Sequence, residues 1–123
     1  MDTHDRKRRD EAIQEARSSS LLDACATIYH YNVHIRPGGP LPWPEVLSAE
    51  EALGTHDESA YKIAMGQASK LYDDSLDVGL AFFKYPSATL SYEEAEDLFK
   101  RNNPGFSETH YGRAIGNAIR GLR

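Results

Sequence analysis

The sequence predicts an all-α fold: a small single-domain helical bundle with a Pro/Gly-rich loop near residues 36–45 and a C-terminal helical hairpin. Apolar residues recur at three- and four-residue intervals along most of the chain, the period of a helix with one buried face. Two Ser-x-x-Glu sequences, Ser48 with Glu51 and Ser91 with Glu94, have the spacing at which side chain and backbone cap each other at a helix start. Helix breakers are concentrated in one place: Pro37, Gly38, Gly39, Pro40, Pro42 and Pro44 preclude a helix there and favour an extended path. The pattern amounts to about five or six helices. A chain of 123 residues can bury one core but is short for two independent ones, so residues 1–123 read as one domain with 1–8 frayed.

Each element follows from local chemistry. Ala12, Ile13 and Ala16, then Leu21, Ala24, Cys25, Ile28 and Tyr29, predict helix from about Arg9 to Tyr31, with Ser18, Ser19 and Ser20 as the point where it would break. Ser48 caps a short helix that Gly54 stops. Asp57 can cap the next, whose buried stripe is Tyr61, Ala64, Met65, Ala68, Leu71 and Tyr72. Asp73 and Asp74 suit a helix N-terminus better than a C-terminus, which predicts a break there and a new helix through Val78 to Phe83. That last run is short enough to be a strand, but no partner strand is evident.

The closing hairpin carries the most agreement between signals. After the Ser91 cap, Tyr92, Ala95, Leu98 and Phe99 form one stripe, while Glu96 with Lys100 and Asp97 with Arg101 are acid-first pairs four apart. Asn102, Asn103, Pro104 and Gly105 end that helix. Ser107 would cap the final one, in which Tyr111, Ala114, Ile115, Ala118, Ile119 and Leu122 share a face.

Charge is unevenly distributed. Residues 1–36 balance six basic against six acidic groups, 37–99 carry three against twelve, and 100–123 carry five against one, for a net charge of −5. An acidic protein is a poor candidate for non-specific nucleic-acid binding, which depends on neutralising phosphates. Cys25 is the only cysteine and lies in an apolar stretch, which points to a reduced buried thiol and a cytoplasmic location. The charged N-terminus does not read as a secretory signal, and no apolar run approaches the roughly 20 residues of a membrane span.

Several constellations bear on function. On the final helix Arg113, Asn117 and Arg120 fall opposite the apolar stripe, as side chains reading DNA would on a recognition helix. The acidic first turn of the preceding helix and the long intervening turn disfavour that use. Gly112 and Gly116 would admit a closely approaching backbone, within the fold or across a homodimer. His30 and His34 have the four-residue spacing of two metal ligands but lack a third. Asp73, Asp74 and Asp77 reproduce the DDxxD spacing with which terpenoid synthases hold magnesium, but without the second motif or large cavity those enzymes need, so a helix junction is the better reading.

Arg6, Lys7, Arg8 and Arg9 are offset by Asp2, Asp5, Asp10 and Glu11 and read as a solvated helix start. Trp43, between Pro42 and Pro44, is expected to lid the core, with an exposed anchor for a partner as the other reading. No catalytic, metal or cofactor motif stands out. The sequence therefore favours a non-enzymatic adaptor, regulator or inhibitor that binds another protein through its acidic middle segment, the partner being basic or itself nucleic-acid-binding. The alternative is a small DNA-binding regulator using Arg113, Asn117 and Arg120.

Overall fold

The computed structural model describes residues 3–39 and 41–123, leaving Met1, Asp2 and Pro40 outside it. Among the described residues it is all-helical: six α-helices, two further helical turns and no strand. Packing groups into two compact units, Met1–Ala68 and Ser69–Arg123.

In the first unit, α1 spans Thr3–Arg17 and α2 spans Leu21–Tyr29. The serines do break the helix: Ser18 and Ser19 turn their hydroxyls back onto the carbonyls of Gln14 and Glu15, and Ser20 caps α2 through the Asp23 amide. α1 begins earlier than the apolar stripe suggests, taking in residues 3–8. The winding also continues past Tyr31, through a wide π-helical turn over His30–Ile35 and a 3-10 turn over Arg36–Gly38. Pro37 sits in the first turn of the latter, where its missing N–H costs no bond, so the breaker-rich segment starts as helix rather than as extended chain.

Helix α3, Ala49–Leu53, is closed by the Ser48–Glu51 capping box and by Gly54 at φ +69°. Ala16, Ala24, Ile28, Tyr31, Leu47 and Ala52 form the core of this unit, with Tyr61 and Met65 packed against it. Two polar side chains hold the connecting segment in place. Arg9 donates to the carbonyls of Glu45 and Val46 and to the Glu51 carboxylate at 2.8 Å, and Asn32 both donates to and accepts from the Leu47 backbone. One arginine of the basic run is thus a structural clamp rather than a solvated charge.

Helix α4 runs unbroken over Glu58–Phe82, begun by the Asp57 carboxylate accepting from the Ala60 amide. The break expected at Asp73 and Asp74 does not occur. Those carboxylates lie mid-helix, far from the partial charge of a terminus, and Asp74 is held by Lys70 at 2.6 Å and by Asn103 at 3.0 Å. Ser75, fully buried, donates back to the Tyr72 carbonyl, so the apolar stripe carries on through Val78 and Ala81. The helix stops where Lys84 takes a left-handed φ of +56°, letting the Lys84 and Tyr85 amides reach the Ala81 and Leu80 carbonyls.

In the second unit α4 is joined by α5, Tyr92–Asn102, and α6, Glu108–Leu122. The Ser91–Glu94 capping box starts α5. Ser107 occupies the cap position of α6 without closing it by a side-chain bond. Buried Asn103 ties all three helices together, donating to the Phe99 carbonyl and to Asp74 while its own carbonyl accepts from the Tyr111 hydroxyl. Phe99 and Phe106 both meet Tyr111 edge-on.

Candidate functional site

The second unit contains a groove of about 320 Å³ between α4 and α5. Asp74, Asp77, Leu80 and Ala81 line it from α4, spaced to share one helix face, and Ala95, Leu98, Phe99 and Asn102 line it from α5 in the same way. Ser87 to Leu90 of the connecting loop close the end near Ala81 and Ala95, while Asp74 and Asn102 mark the other end, so the two helices run antiparallel along it.

Its depth has a simple origin. Ala81 and Ala95 are both buried and too short to fill the space between the helices, where larger side chains would interdigitate. Its apolar shoulders are wet: Leu90 is 39% exposed and Leu98 40%. Outside the groove, half-exposed Phe82 and Phe83 meet edge-on at the end of α4, and Phe82 is also edge-on to Tyr92.

The only charged side chains lining the groove are carboxylates. Burial would raise the Asp74 pKa, but hydrogen bonds from Lys70 and Asn103 outweigh it and hold the carboxyl below its ordinary value. Its charge is committed. Asp77 and neighbouring Asp73 differ: both are exposed, and neither makes an ion pair among the described residues. They lie one turn apart, and the nearest cation along α4, Lys70, is committed to Asp74 and the Asn102 carbonyl.

The residues that the sequence singled out lie elsewhere. On α6 Arg120 is exposed, with one guanidinium nitrogen folded to 3.4 Å from where a Gly116 side chain would begin, while Arg113 and Asn117 are half-buried. The basic end of the hairpin is partly neutralised, since Lys100 pairs with Glu108 at 3.0 Å and approaches Glu96. A side chain on Gly112 would meet nothing within 4 Å, so no close approach within the chain requires that glycine.

Trp43 is 43% exposed and is not the lid expected of it: its ring carries the Arg36 guanidinium at 5.4 Å, and its indole N–H donates to the Gly39 carbonyl. Pro44 is the buried member of that segment. The His30 and His34 rings lie 6.0 Å apart, and among the described residues no group of three or more His, Cys, Asp or Glu side chains is placed to hold a metal ion. Nor is any helix among them long and apolar enough to cross a membrane.

Sequence reasoning placed Ala95 and Leu98 alike in the apolar stripe of α5 and Ala81 in the apolar run from Val78 to Phe83, without assigning either alanine to a groove; Ala95 and Ala81 are buried, whereas Leu98 is half-exposed. The available signal was a pair of alanines, Ala81 between Leu80 and Phe82 and Ala95 one turn from Leu98 and Phe99, but its meaning depends on the helices being neighbours. Compared with family models, with curated proteins and with solved structures, the chain matches none.

Proposed function

We propose that the protein is a non-enzymatic adaptor, regulator or inhibitor that binds another protein by docking a basic segment of it on the α4–α5 groove. One observation carries this reading: a groove in the range of size that protein pockets use for ligands, lined by both apolar and polar side chains, whose charged lining is entirely acidic. Apolar shoulders supply affinity through area removed from water, and the free carboxylates of Asp73 and Asp77 supply orientation and selection against acidic surfaces. The strongly acidic balance of residues 37–99 adds a longer-range attraction for a basic partner.

The other reading, DNA binding through Arg113, Asn117 and Arg120, draws on the basic balance of residues 100–123, but Arg113 and Asn117 are half-buried and Lys100 is paired. It enters the test as an outcome. Tagged protein is used to capture partners from nuclease-treated lysate at about 0.05 M and about 0.5 M salt, alongside Asp73→Lys/Asp77→Lys and Arg113→Glu/Arg120→Glu variants. The proposal expects a protein partner that survives nuclease and is lost in the aspartate variant and at high salt. Capture that depends on nucleic acid and on the two arginines would replace it with the DNA reading, and capture indifferent to the aspartates would overturn it.

A further inference from the structure

The groove also constrains the conformation of what enters it, granted that it is the docking site. Its walls are two helices, whose backbone N–H and C=O groups are already bonded within α4 and α5, and among the described residues there is no strand with an open edge. An extended peptide laid along these walls would find scattered polar side chains but no open backbone edge to pair with in register, and each of its backbone groups left unpaired costs more than an ordinary hydrogen bond returns. A helix satisfies its backbone internally and brings only side chains to the groove.

Two features of the groove and its border fit a helix further, Asp77 lining the groove and exposed Asp73 standing outside the lining one turn before it. Asp73 and Asp77 are separated by one turn, about 6 Å along the axis, the same interval at which basic residues recur on one face of a partner helix. Leu80, Leu98 and Phe99 line the groove together with the small side chains of Ala81 and Ala95, so an apolar side chain entering there meets apolar walls. We propose that the docking segment is an amphipathic helix, with one large apolar side chain seated over Ala81 and Ala95 and Lys or Arg residues one turn apart facing Asp73 and Asp77.

Three labelled synthetic peptides of equal charge test this by fluorescence anisotropy. The first carries Leu at helical i, i+3, i+4, i+7 spacing among Lys residues. The second is a scramble of it that destroys the apolar face, and the third replaces every Leu by Ala. The first should bind at least about tenfold more tightly than the others. Ala81→Leu, which fills the space from inside, should cancel that advantage. Leu98→Ser, at a half-exposed position that does not threaten the fold, should reduce it.

Equal binding of all three peptides, still lost in Asp73→Lys/Asp77→Lys, would overturn the helical inference and leave the acidic docking surface standing. No binding that depends on those aspartates would remove the docking surface as well. An advantage of the first peptide that persists in both Ala81→Leu and Leu98→Ser would show that the helix sits elsewhere.

Discussion

Gly79 on α4 lies directly under Leu122 of α6: a side chain at position 79 would begin 2.9 Å from the Leu122 Cδ1 and 3.3 Å from the Ala118 Cβ. The two helices approach there because the residue has no Cβ. Gly66, on the same helix, faces open space. The same substitution should therefore have opposite effects. Gly79→Ala is expected to destabilise by about 1 kcal/mol, the overpacking cost exceeding the helix-propensity gain, whereas Gly66→Ala should stabilise by up to about 1 kcal/mol. Chemical denaturation of the two variants gives both numbers.

Asn103 is expected to matter more than a turn residue would. Replacing it by alanine removes the donor to the buried Phe99 carbonyl and one of the two donors to Asp74, which keeps Lys70; this should cost about 1–3 kcal/mol, mostly from the buried carbonyl that loses its side-chain donor. Asn103→Asp should be worse, since it sets a second carboxylate against Asp74, and its melting temperature should recover partly as pH is lowered. Equal stability of the two variants at neutral pH would show that the Asp74 contact contributes little.

The Arg9–Glu51 contact makes a pH prediction. The hydrogen bond from Arg9 is the largest influence on Glu51 and holds its carboxyl below the ordinary value of 4.5, against a smaller opposing push from burial. A carboxyl whose pKa is lower folded than unfolded adds stability that is complete above the unfolded value and is lost as pH falls through the folded one. The melting temperature should therefore drop as pH falls from near 4.5 downwards, and Glu51→Gln should flatten that part of the profile. An unchanged acid limb in the variant would contradict the assignment.

These relationships explain what could be read in advance. Features fixed by neighbours in sequence were legible: the Ser48 and Ser91 capping boxes, the Gly54 stop, the serine break before α2 and the apolar faces of α5 and α6. The continuity of α4 was not. It depends on Asp74 meeting Asn103, a residue that looks from the sequence like part of a turn. Arg9 was masked in the same way, because its acceptors lie more than thirty residues away in a segment dense with proline. The groove was least legible of all, since two alanines become a pocket floor only when their helices face each other. An acidic middle segment was visible in the composition. Which of its carboxylates remain free was decided by contacts: Asp74 is taken up by Lys70 and Asn103, and Asp73 and Asp77 are left to solvent.

The proposed docking of a basic helix on the α4–α5 groove would leave its mark on the amides that line it. Titrating isotope-labelled protein with the Leu/Lys helical peptide and mapping amide chemical shifts tests it most directly. Docking in the groove gives saturable shifts concentrated at residues 73–81, 87–90 and 95–102, absent for the peptide in which Leu is replaced by Ala. Shifts concentrated instead on α6 around Arg113 and Arg120, or in residues 3–68, would contradict it.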